Sequence, residues 1–330
     1  MIGVPDTALL WIHVTPHKQG DRQRLAAGLL KIVADDPAVC VRGDRLTGAT
    51  VIGGSSDRHL EIIIDRLKRE FDVAASVGRP EVAYRETVTK PSDGEVKYYA
   101  YVGGRRQYAH VKIHLYPGER GSGCLFEDAV SGAVPNEFVK AVDEGIRVAV
   151  AAGAIAGCPM TDTRIVLYDG SYHDVDSSDL AFKIAGILAF QYAAREAEPV
   201  LLEPVMRVEV VVPTERMEDV TASLVRRRGE IQSHTIFGGM RVITARVPLT
   251  EMFGYSTDLR ERTQGRGSFT MHLDRYEPLR PAERDDGSRD SFVRVPRTPR
   301  PPLRGSRIAM PEPDRDDRPT DQEMPPNPRQ

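Results

Sequence analysis

The chain has 330 residues, 40% hydrophobic and 28% charged, with a net charge of −3. That length allows two or three domains with real cores, and the near-neutral balance excludes a polycationic nucleic-acid binder. No apolar run approaches the ~20 residues of a membrane span, the N-terminus lacks the pattern of a secretory leader, and three scattered cysteines (Cys40, Cys124, Cys158) argue for a reducing, cytoplasmic home.

In chain order, 8–14 reads as a strand and 19–34 as a helix with Leu25, Leu29, Leu30 and Val33 on one face. Residues 39–41 and 50–52 flank a turn over 43–48, as a hairpin would. A second helix carries Leu60, Ile63, Ile64, Leu67 and Phe71 at helical spacing, and 71–77 gives a fourth strand. The order β-α-β-β-α-β predicts a ferredoxin-like domain over 1–78.

The block 79–203 mixes strands at 111–115 and 164–168 with Ala-rich helices at 138–152 and 180–195. Local pattern leaves its topology open. Residues 204–279 repeat the first order. Strands are expected at 205–212, 229–235, 240–248 and 268–276, with helices starting at Pro213-Thr214 and spanning 254–263. Residues 280–330 hold 11 of the 24 prolines, 11 arginines and 10 acidic residues. That composition predicts a disordered tail, because it cannot bury enough apolar surface to offset chain entropy.

Enzyme chemistry finds no support. The nearest phosphate-loop pattern, 43–50, has Ala49 where the cation-bearing lysine must stand and sits in a hairpin rather than between strand and helix. His13 and His17, like His110 and His114, lie on extended segments, where four positions at about 3.3 Å each separate the imidazoles too widely for one ion. Asp174, Asp176 and Ser178 begin like a calcium loop, but Asp179 and Ala185 replace the required Gly and Glu. Ser171, His173 and Asp174 are too close in one loop for triad geometry, and no nucleophile elbow exists. No metal, nucleotide or other cofactor is implied.

What remains is surface suited to RNA. Gly170, Ser171, Tyr172, His173, Asp174, Val175 and Asp176 form a polar loop running into an apolar helix, with Ser177 or Ser178 as its cap and Asp179 in the first turn. Gly103-Gly104 hinges a second loop that presents Arg105, Arg106, Gln107 and Tyr108. Arg226, Arg227 and Arg228 follow one another at a helix end, where they either contact phosphate or complement the helix dipole. Aromatic and imidazole faces suit unpaired bases.

These segments together resemble the C-terminal half of bacterial elongation factor G, domains III, IV and V, over residues 5–279. The loop 170–182 carries the resemblance most strongly. It is joined by 59–62, 65–71, 80–87, 199–204, 226–229 and 247–255. The resemblance implies an α+β fold in which two ferredoxin-like domains flank a ribosomal S5-type domain. It implies that the loop 170–176, with 103–108 beside it, contacts decoding-site rRNA, and that the third domain approaches the large subunit. Departures are Ser56-Asp57-Arg58 before His59, and Arg106 and Ala109 where the family has glycines. With Met1 just ahead of the first unit, the chain is expected to stand alone, without a GTPase domain. Three readings follow: a ribosome ligand that presents its tip to the A site, a module that docks a GTPase in trans, or a remnant without a role. Intact periodicity and an intact tip argue against the last.

Overall fold

Hydrophobic spacing resolves into three sheets. The structure, a computed structural model, describes residues 8–43 and 49–279. The turn residues 44–48 and the tail 280–330 lie outside the described residues.

The first unit runs β1 (Leu10–Pro16), α1 (Gln19–Asp35), β2 (Cys40–Gly43), β3 (Thr50–Gly54), α2 (Asp57–Phe71), β4 (Ala75–Val77) and β5 (Glu81–Val82). Its strand order is β2-β3-β1-β4, with β5 also on β1 and every neighbour antiparallel. This is the ferredoxin-like arrangement. On α1 the inward face is Leu25, Gly28, Leu29 and Ile32, while Leu30 is 75% exposed and Val33 is also exposed. The buried face is therefore rotated from the expected one, because several apolar side chains fit more than one stripe around a short helix. The fourth strand is shorter than expected: Asp72, in the left-handed region at φ 50°, ends α2 before Ala75.

The central unit comprises β6 (Arg85–Val88), β7 (Ser92–Val102), β8 (Arg105–Pro117), β9 (Cys124–Asp128), α3 (Asn136–Ala152), β10 (Thr163–Ser171) and α4 (Asp179–Glu196). Strands β7-β8-β10-β9 form its sheet, and only β9 and β10 are parallel, joined by the crossover helix α3. The Ala-rich sequence of α4 has a packing cause. Ala181, Ala185, Ala189 and Ala193 are buried, and a Cβ on Gly94 of β7 would lie 2.3 Å from the Ala189 carbonyl oxygen. Small side chains let the helix lie close on the sheet, while Phe182 and Phe190, fully buried, each contribute about 1.5–3 kcal/mol.

The third unit runs β11 (Pro199–Pro213), α5 (Met217–Arg226), β12 (Glu230–Phe237), β13 (Met240–Pro248), α6 (Tyr255–Thr263) and β14 (Ser268–Pro278), in the order β12-β13-β11-β14. Val208, Val210 and Val212 point into the core while Arg207 and Glu209 face out, the period-two pattern of a half-buried strand.

Strand pairing and side-chain contacts tie the units together, and a buried carboxylate braces the central one. Strand β6 pairs antiparallel with the start of β11, Arg85 opposite Leu202 and Val88 opposite Pro199. Glu86, fully buried, accepts backbone N–H bonds from Ala154 (2.6 Å), Ile155 (2.9 Å), Ala156 (2.8 Å) and Cys158 (3.0 Å). Four orphan amides after α3 are thus satisfied by one carboxylate. Tyr276 Oη donates to the Ala83 carbonyl at 3.0 Å, and the Arg85 guanidinium lies 4.5 Å from the Tyr276 ring centroid. Among the described residues, no helix is long and apolar enough to cross a membrane.

Candidate functional site

The end of the central unit is built by two segments more than sixty positions apart in the chain. Strand β10 extends through Ser171, so Gly170 and Ser171 belong to the sheet and the protruding loop is 172–178. The expectation of a loop beginning at Gly170 is corrected accordingly, as backbone pairing with Val111 and His110 carries the strand two residues further. A Cβ at Gly170 would sit 2.5 Å from the His110 carbonyl oxygen, which is why glycine stands there. The second expected loop is likewise shorter. Gly103 (φ 59°) and Gly104 (φ 80°) form a two-residue turn with both centres left-handed, the geometry that matches strand twist, and Arg105 to Tyr108 open strand β8.

Hydrogen bonds then zip loop to hairpin. Tyr108 N donates to Asp176 O at 2.8 Å, and Ser177 Oγ donates to Tyr108 O at 2.8 Å. Ser178 Oγ donates to Gln107 Oε1 and also accepts from Ala181 N at 3.2 Å, capping α4. Such a cap is worth about 1 kcal/mol. Below the loop, Ser171 Oγ lies 2.8 Å from Tyr108 Oη and 3.2 Å from His110 Nδ1, whose Nε2 is 2.8 Å from Glu95 Oε1. The His110 hydrogen bond holds the Glu95 carboxyl below its usual range. This chain of side chains pins β7, β8 and β10 together under the tip.

Inside the loop, His173 Nδ1 accepts from Val175 N (3.3 Å) and Asp176 N (3.2 Å). In the neutral ring the proton therefore sits on Nε2. His173 N donates to Ser177 Oγ at 2.9 Å. Val175 is 82% exposed and Tyr172 44%, with the Tyr172 ring 6.3 Å from Phe138, which stacks on Phe182 at 4.6 Å. Phe138, Ser177 and Ser178 support the site, and only the serines carried a local signal, as cap candidates. The loop carries Asp174 and Asp176, with Asp179 in the first turn of α4 behind it, whereas Arg105 and Arg106, exposed at the hairpin, bring the cations. The composite end offers rings and amides for bases and guanidiniums for phosphates.

The third cluster does not form one outward basic patch. Arg227 bonds the carbonyls of Glu251 (2.5 Å) and Phe253 (3.3 Å), pairs with Asp258 at 3.5 Å and lies over Tyr255. Arg228, left-handed at φ 58°, bonds the buried Glu203 carboxylate. Arg226, in the last turn of α5, is exposed beside an open, mostly apolar cavity of about 510 Å³ that Val225 and His234 also line. Two of the three arginines thus turn toward internal acceptors.

The fold and the displayed end define a class: an α+β assembly of two ferredoxin-like sheets around a helix-covered sheet that projects a polar tip. Residues 5–79 match the family described as Elongation Factor G, domain III; residues 80–198 match Elongation factor G, domain IV; residues 200–286 match the Elongation factor G C-terminus. The chain belongs to the elongation factor G family. A crystal structure of a protein from Thermus thermophilus is similar at 36% identity and a TM-score of 0.68. That similarity covers 85% of this chain and 42% of the Thermus chain, so the present chain spans less than half of that protein.

Proposed function

We propose that this protein binds the ribosome and presents residues 172–178, flanked by the 103–108 hairpin, to rRNA of the A site, without hydrolysing GTP itself. The observation that carries the reading is the zipper between the two segments. Tyr108 with Asp176 and Ser177, and Gln107 with Ser178, hold Tyr172, His173, Arg105 and Arg106 on one rigid end. A recognition surface mounted on strands and a helix loses little entropy on contact. Arg226 provides the contact proposed for large-subunit rRNA.

Co-sedimentation with ribosomes over a salt series, with and without GTP, tests this. Binding is expected to weaken as salt rises, because phosphate contacts release counterions, and to be indifferent to GTP. Absence of co-sedimentation at low salt, or dependence on GTP, overturns it.

A further inference from the structure

The tip does not account for the outward face of the β7–β8 ribbon. Along β7, Gly94, Val96 and Tyr98 face α4 and the core, so Lys97, Tyr99 and Tyr101 face away from it. Opposite them on β8 stand His110, Tyr108 and Arg106 in register. Tyr99 is 49% exposed and Tyr101 73%. The Tyr99 ring lies 5.1 Å from Tyr108, tilted by 52°, which fixes its plane. Tyr99 and Tyr101 alternate on β7, with Tyr108 across from Tyr99, so the rings form one contiguous patch rather than scattered exposed side chains.

Charge identifies the occupant. From Lys97 to Val102 and from Arg105 to His110 there is no carboxylate, while Lys97 and Arg106 bring cations to this face. Further down the face, Glu95 pairs with His110 and Lys112, and Asp93 with His114, so those acids are engaged. The backbone of the tip loop runs along the edge of β8 opposite β7, where Tyr108 N donates to Asp176 O and Tyr108 bridges Ser177. Spacing adds a second restriction. Residues two apart on a strand are separated by about 6.6 Å, roughly twice the 3.4 Å rise per nucleotide of a stacked strand. Tyr99 and Tyr101 therefore suit bases splayed from an unstacked strand rather than the edge of a duplex.

We infer that Lys97, Tyr99, Tyr101, Arg106 and Tyr108 form a stacking platform for unpaired RNA bases beside the tip, with Lys97 and Arg106 taking phosphate. The inference deepens the ribosome reading by adding a second RNA subsite on the same unit. Its test is separable from that reading.

The full chain is titrated against a short labelled oligouridine and against a blunt RNA duplex by fluorescence anisotropy. The single strand is expected to bind about 10-fold tighter than the duplex. The double variant Tyr99→Leu/Tyr101→Leu, which keeps bulk and extended backbone, is expected to lose about 10-fold or more in single-strand affinity, from the stacking lost per base. Tyr99→Phe/Tyr101→Phe keeps the rings and is expected to bind as the parent does. Equal binding by the leucine variant, equal affinity for duplex, or no binding of oligouridine by the parent each overturns the platform. Ring-dependent oligouridine binding without ribosome co-sedimentation removes the proposed function and leaves the platform standing.

Discussion

Two arginine runs in this molecule look alike as text and behave differently in the fold. Arg226-Arg227-Arg228 ends a helix over a junction rich in acceptors: Glu203 is buried, and Glu251 and Asp258 are close by. Arg105-Arg106 follows a glycine turn at the far end of an antiparallel ribbon, with no acid on the adjoining stretch of either strand. The first run is mostly turned to internal acceptors, the second is exposed at the end of the ribbon. Basic residues mark an RNA surface only when the fold keeps them displayed, and that depends on pairings distant in sequence.

The contrast can be broken most forcefully at Arg228. Arg228→Ala leaves the buried Glu203 carboxylate without its guanidinium and is expected to cost about 2–3 kcal/mol, discounted because the arginine itself is partly exposed. Chemical denaturation measures it, and a loss under about 1 kcal/mol would place Arg228 with the displayed run. Next is Gly170→Ala. Its Cβ would press on the His110 carbonyl at 2.5 Å, and a loss of about 1–3 kcal/mol is expected, together with a disturbed tip. Unchanged stability would mean that β8 and β10 separate there at little cost.

Arg105→Ala gives the opposite expectation: stability within about 0.5 kcal/mol of the parent, but weaker ribosome binding and a shallower salt dependence. An unaltered salt slope would remove that residue from the contact. The smallest effect is in acid. Burial alone would raise the Asp258 carboxyl, yet the hydrogen bonds from Ser223 and Arg262 and the charges of Arg262 and Arg227 hold it below its ordinary 3.8. A depressed carboxyl contributes stability that is complete above the unfolded value and is lost as pH falls through the lower folded value. Asp258→Asn should therefore flatten part of the stability loss below about pH 4. An acid limb identical to the parent's would show that the carboxylate adds nothing there.

Much of the fold was legible in local pattern. The alternation of Val208, Val210 and Val212, the helical spacing of Leu60, Ile63 and Leu67, and the glycine turns at 103–104 and 238–239 each encode their element within a few residues. The cap and helix that follow the tip were legible for the same reason, but its start was not, since Gly170 and Ser171 pair with residues about sixty positions away. The central sheet was not, because its order depends on β9 lying parallel to β10 across a helix and on β8 lying between β7 and β10. Residues 85–88 carry no sign that they pair with 199–202. Glu86 could not be known as a buried acceptor, since the amides it satisfies lie about seventy positions away. Leu30 misled because helix apolarity says how much to bury but not always which side.

The pairing of β6 with β11 has a mechanical meaning for the whole molecule. Thr89 N donates to the Ala197 carbonyl at 3.1 Å, Thr89 Oγ1 to that of Glu198 at 2.9 Å, and Lys90 Nζ meets Glu198 Oε1 at 2.6 Å. The chain thus enters and leaves the central sheet side by side, on the paired strands β6 and β11. A load on the tip that passes along these strands reaches the sheet of the third unit as shear, shared between four paired positions.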